Sequence, residues 1–148
     1  RLPATVANQG TMPPITWLRD PNNPPKPAEP IIIPAQARTL AGYMRLVVTS
    51  GTARGALGTY TLPIAGKTGT AERQVRGRPG RKINNAWFTG FAPYRAVPTG
   101  EPTIAVAVVV EARDRDSGRV RLLGGTHAAP IAGAIFQEAA ELGIISGR

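Results

Sequence analysis

A chain of 148 residues with no cysteine, 18 basic against 9 acidic side chains and a net charge of +9 is long enough to bury roughly 70% of its unfolded surface around one core. The missing cysteines exclude a disulfide framework and a thiolate metal site. No stretch approaches the roughly 18 consecutive apolar residues of a membrane span, and no basic-then-apolar leader opens the chain.

The opening RLPATVANQG starts at an arginine and reads as the middle of an element, which predicts that these residues belong to a longer protein. Residues 13–34 are rich in proline, with Asp-Pro and Asn-Asn turn signals, and predict an extended, irregular connection. In PAQARTLAGYMRLVVTSGTARG, the apolar residues Leu40, Tyr43, Met44, Val47 and Val48 recur at helical spacing and predict one buried stripe, with Gly51 as the stop. Three strand candidates follow: LPIAGKTGTAE, AWFTGFAPY and TIAVAVVVE. The last, Ile104 to Val110, is apolar at every position and mostly β-branched, which predicts a central strand covered on both faces. Finally, APIAGAIFQEAAELG places Ile131, Ile135, Ala139 and Leu142 on one helical face, with Pro130 suited to the first turn and Gly143 to the stop. The order predicts an α+β fold: an antiparallel sheet of at least three strands with packed helices.

The basic excess raises a nucleic-acid reading, and the placement of the charges answers it. The densest cluster, RQVRGRPGRK from Arg73 to Lys82, carries two glycines and a proline and no aromatic platform. It reads as an exposed, mobile arginine-rich loop between two strands of a hairpin, and no nucleic acid is expected. His127, the sole histidine, precedes a helix start and reads as a turn or capping residue rather than a catalytic one. Trp87, Phe88 and Phe91 read as core or cleft wall, because a strand with period two buries one face.

The segment AGKTGTAE sets one lysine among glycines and threonines. Glycine weakens a strand interior and is most useful where a ligand or another backbone comes close, which draws attention to Gly66 and Gly69. On a regular strand Lys67, Gly69 and Ala71 share one side, and Thr68 and Thr70 the other. If Lys67 and Thr70 serve one ligand, a twist or bulge at the glycines has to reconcile them. Glu72 reads as an outward-facing strand residue.

KTGT from Lys67 to Thr70, AWFTGFAP about fifteen residues later, then TIAVAVVVE and GGTHAAPIAGAIFQEA form an ordered set. This set resembles the C-terminal part of the transpeptidase domain of penicillin-binding proteins. A lone K-T-G is weak, but four segments in order are specific. KTGTAE, the GFAP strand end, VVTSGTARGA and ATVANQGT resemble the monofunctional high-molecular-weight, or class B, members. That family works through a serine nucleophile in S-x-x-K, a second serine in S-x-N, and the K-T-G strand. Ser50, Ser117 and Ser146 stand in neither serine motif, so the resemblance implies that 1–148 is the C-terminal segment of the domain and forms no acyl-enzyme alone.

The resemblance further implies a peptidoglycan D,D-transpeptidase, with no cofactor and no metal, acting on a stem peptide that ends in D-Ala-D-Ala and acylated by β-lactams. Lys67 would supply positive field to the substrate carboxylate, Thr68 and Thr70 hydroxyls would hydrogen-bond it, and Gly69 would keep the strand bare. The N–H of Thr70 would be one oxyanion donor, and main-chain pairing at Thr70 and Glu72 would add the substrate to the strand. The parent would be membrane-anchored with this domain outside the cytoplasm, working in a cell-wall synthesis complex for cell shape or cell division. The 73–82 loop would sit at the lip of the cleft and steer anionic precursor. In the family fold the sheet has five strands, so this segment would show an unpaired apolar edge at 103–111. It would then need the remainder of its domain, a companion chain or an exchanged copy, and the terminal helix would leave Ile135, Phe136 or their neighbours partly bare. A non-catalytic penicillin-recognising sensor on the same scaffold is the alternative reading.

Overall fold

The computed structural model describes residues 1–16, 22, 24–97, 103–113 and 121–146. Helices α1 (Leu2–Ala7), α2 (Pro34–Thr49) and α4 (Ala129–Glu141) each carry proline in the first turn and no side-chain cap. Proline fits there because its missing N–H would have no partner within the helix in any case. A short α3 (Arg54–Leu57) follows α2. Gly143, at φ +71°, stops α4 as expected, and Gly51 follows the Ser50 that closes α2.

Between α1 and α2, strand β1 (Thr11–Met12) pairs antiparallel with β2 (Glu29–Pro30), so the proline-rich connection is pinned at its ends rather than irregular throughout. Its Trp17, Asp20-Pro21 and Asn23 lie outside the described residues. The main sheet is an antiparallel meander of β3 (Ala65–Gln74), β4 (Lys82–Ala92) and β5 (Ile104–Val110), in the order β3-β4-β5. The β3–β4 register runs one-to-one from Ala65↔Phe91 to Gln74↔Lys82. The hairpin therefore extends into the basic cluster, leaving 75–81 as the loop. Val75 and Ile83 are both buried there, which explains why pairing continues so far. The Val75 N–H to Arg81 carbonyl bond, at 2.8 Å, closes the turn.

β5 corrects one expectation. Among the described residues it is an outer strand, paired with β4 alone: Ile104, Val106, Val108 and Val110 are half-buried against the core, while Ala105, Ala107 and Val109 are exposed. An apolar β-branched run specifies strand and burial of at least one face, and it does not specify how many neighbours the strand has. The edge at 103–111 expected from the family resemblance agrees with this order.

Phe88 and Phe91, three residues apart on β4, point to opposite faces, and each anchors a cluster. Phe88 is fully buried with Leu57, Ile64, Ala132 and Phe136, whereas Phe91 packs with Val6, Ala41, Met44 and Ala65. Trp87, which precedes Phe88 and shares the strand face of Phe91, is exposed rather than core.

The two long helices also depart from their expected faces. In α2, Ala37, Ala41, Met44 and Val48 are buried and Val47 is half-buried, while Leu40 and Tyr43 are exposed. In α4 the buried face is Ala132, Gly133, Phe136 and Ala139, with Ile131, Ile135 and Leu142 exposed. Small residues win because they admit close approach. A Cβ on Gly133 would lie 2.7 Å from the Leu57 side chain and 2.8 Å from the Tyr60 hydroxyl. Of the residues expected to be bare, Ile135 is and Phe136 is not.

Candidate functional site

Strand β3 is an outer strand, so alternate N–H and C=O groups along it face away from β4. Its entry is fixed by Arg45 of α2, whose Nη1 donates to the Ile64 carbonyl at 2.8 Å. Gly66 makes room for an aromatic ring and not for a ligand: a Cβ there would sit 2.2 Å from Cζ of Phe88. The glycine at that point is thus explained by the packing of Phe88.

Beyond Gly66 the sequence-predicted residues separate by environment. Lys67 is exposed and its ammonium donates to the Thr68 carbonyl, lying back along its own strand. Thr68 is buried, with its Oγ1 2.6 Å from Oγ1 of Thr52 in the α2–α3 turn. Gly69 is half-exposed, opposite Trp87, and Thr70 is exposed. Glu72 is outward-facing, with Oε2 3.0 Å from Nζ of Lys82 in an exposed ion pair, worth little in water. The register contains no bulge, so Lys67 and Thr70 project to opposite faces and can meet one ligand only across the open edge between them.

The strand is also contacted from behind by two glycines to which the sequence alone assigns no role. A Cβ on Gly124 would lie 2.3 Å from the Trp87 carbonyl oxygen and 2.7 Å from that of Gly69, and one on Gly125 would lie 2.1 Å from the Thr52 carbonyl oxygen. Only glycine allows this double backbone contact. The pair opens a π-helical turn, Gly124–Ala128, that leads into α4. The sequence signals were the GG before a proline-started helix and the S-G-T that precedes the strand. His127 closes the same turn: the Leu123 N–H points to its Nδ1 at 3.1 Å, and Thr126 Oγ1 lies 2.8 Å from that nitrogen. This is the local role expected of it.

Elsewhere, a recess of about 420 Å³ lies among α1, α2 and the end of β4, lined by Val6, Asn8, Arg38, Phe91, Tyr94 and Ala105. None of the four KTGT residues borders it. Ser50 bonds back to the Leu46 carbonyl at 3.2 Å, the Ser146 carbonyl accepts from Arg95, and Ser117 lies outside the described residues. Among the described residues there is no cluster of three His, Cys, Asp or Glu side chains able to hold a metal, and no helix is long and apolar enough to cross a membrane. What β3 offers is a primary ammonium, an exposed hydroxyl and unpaired main-chain groups on one edge, a set suited to an extended peptide with an anionic end.

Residues 1–137 match the model of the penicillin binding protein transpeptidase domain. The chain is 39% identical over 77 residues to penicillin-binding protein H of Bacillus subtilis, covering 49% of this chain and 10% of that protein. It is 36% identical over 99 residues to stage V sporulation protein D of the same organism, covering 66% and 14%. The transpeptidase domain of Burkholderia pseudomallei penicillin-binding protein 3 superposes with a TM-score of 0.69 at 26% identity, over 97% of this chain and 41% of that one. The chain thus spans a minor part of each of these relatives, and it belongs to the penicillin-binding protein transpeptidase family.

Proposed function

We propose that β3 is the substrate strand of a peptidoglycan D,D-transpeptidase, that it binds the carboxylate end of a D-Ala-D-Ala stem peptide or of a β-lactam, and that the serine nucleophile is supplied from outside these 148 residues. The observation that carries this reading is the exposure of Lys67 and Thr70 on the open edge of β3, in a chain of this family. Lys67 supplies the positive charge, Thr70 and Thr68 supply hydroxyl donors, and Gly69 leaves the edge clear. The Thr70 N–H is one donor for the tetrahedral oxyanion, a contact typically worth about 3–4 kcal/mol in the transition state. Main-chain pairing at Thr70 and Glu72 lays the peptide alongside the strand. In this reading residues 1–148 form the C-terminal segment of the domain, in a membrane-anchored parent whose transpeptidase domain faces the cell wall. The turn at 75–81, with Arg76, Arg78 and Arg81, would face anionic precursor.

The test is acylation of the full-length protein by penicillin. A hydrogen bond to a charged group contributes about 1.5–3 kcal/mol, so Lys67→Ala should slow acylation by about 10- to 100-fold while leaving the melting temperature unchanged. Lys67→Arg should rescue only in part, since a planar fork does not replace a point charge. A Lys67→Ala protein acylated at the wild-type rate would refute the assignment.

A further inference from the structure

We propose that Thr52 is a positioning residue for the carboxylate site: its hydroxyl donates to Thr68 Oγ1 and so leaves the Thr68 proton for the substrate anion. This rests on the reading of β3 given above and adds a residue to it from outside the strand. The two oxygens are 2.6 Å apart, a short O–H···O distance. Thr68 is buried at 8% exposure, so its hydroxyl has few alternative partners.

A hydroxyl carries one proton and two lone pairs, and a carboxylate only accepts. The direction of the Thr52–Thr68 bond therefore decides what the anion meets. If Thr68 donated to Thr52, it would turn lone pairs toward the carboxylate and repel it. If Thr52 donates, Thr68 is left as a donor, and a donor already accepting a hydrogen bond is polarised and stronger.

The surroundings hold Thr52 in place for this role. The Ser50 and Gly51 N–H groups both bond the Leu46 carbonyl at 2.9 Å, and Ala53 N–H bonds the Val47 carbonyl at 3.1 Å. On the other side, the Thr52 carbonyl is in contact with Gly125 at a distance that a Cβ would forbid. The turn between α2 and α3 is therefore fixed to the helix before it and to the Gly124–Gly125 brace behind it, and Thr52 transmits that rigidity to one proton.

The experiment compares benzylpenicillin with its carboxyl methyl ester as acylating agents of the full-length protein, for wild type, Thr52→Val, Thr52→Ser and Lys67→Ala. Valine keeps the shape of threonine without the proton, and Thr52→Ala gives the same comparison if valine does not pack. Thr52→Val should lower the acylation rate constant for the free acid by about 5- to 10-fold and leave the ester's rate at the wild-type value, and Thr52→Ser should restore the free-acid rate. Equal losses with acid and ester would make Thr52 a structural strut and overturn the proposal, as would no loss with either. If Lys67→Ala discriminates acid from ester while Thr52→Val does not, this inference fails and the reading of β3 stands. If Lys67→Ala does not discriminate, the reading of β3 fails and the role of Thr52 fails with it.

Discussion

The two outer strands of the sheet, β3 and β5, share one central partner and differ in almost everything else. β3 carries Lys67, Thr70 and Glu72 exposed, is tied through Thr68 to the exposed Thr52, and is backed by the buried Gly124. β5 carries only alanine, valine and isoleucine, with Ala105, Ala107 and Val109 exposed. An open edge is a template for pairing with any extended chain. In the reading proposed above, charge and hydroxyls on β3 would restrict that pairing to a polar, anionic guest, whereas the side chains of β5 in this 148-residue chain carry no such restriction. The lesson is that two open edges with the same backbone structure differ through side-chain chemistry in what they could accept.

The strongest way to test this contrast is to weaken what both edges share. Phe88 is fully buried in the central strand and touches the cluster that supports both, so Phe88→Ala should cost about 3–5 kcal/mol of unfolding free energy in chemical denaturation. A loss below about 1 kcal/mol would mean that the two edges do not depend on one core. A smaller effect should separate them. The 148-residue chain on its own is expected to self-associate through β5, and Ala107→Lys, which places a charge on an exposed position of that edge, should weaken association in sedimentation by about tenfold, near 1.4 kcal/mol. Unchanged association in Ala107→Lys, or a monodisperse wild-type chain with a cooperative melt, would remove β5 from the comparison.

How much of this the sequence discloses depends on the range of the forces involved. The hairpin, the meander order and the ends of α4 rest on local signals such as Pro130, Gly143 and the alternation of AWFTGFA, and the structure has them. The buried faces of α2 and α4 differ from those that periodicity predicts, because periodicity counts large apolar residues. Here the contacts are set by Ala41, Ala132 and Gly133, whose value is close approach to a partner that lies far away in sequence. The KTGT segment was legible as a motif. Its environment was not: the hydrogen bond of Thr68 to Thr52 and the contact of Gly124 with Gly69 link residues 16 positions apart in one case and distant chain segments in the other.

The most direct measurement of the central claim is a crystal structure of the full-length protein acylated by benzylpenicillin. The account predicts that the penicillin carboxylate lies within hydrogen-bond reach, about 2.6–3.2 Å, of the Thr70 and Thr68 hydroxyls and close to the Lys67 ammonium, with the β-lactam side chain paired along the outer edge of β3. A carboxylate bound elsewhere, with Lys67 and Thr70 still facing solvent, would contradict it.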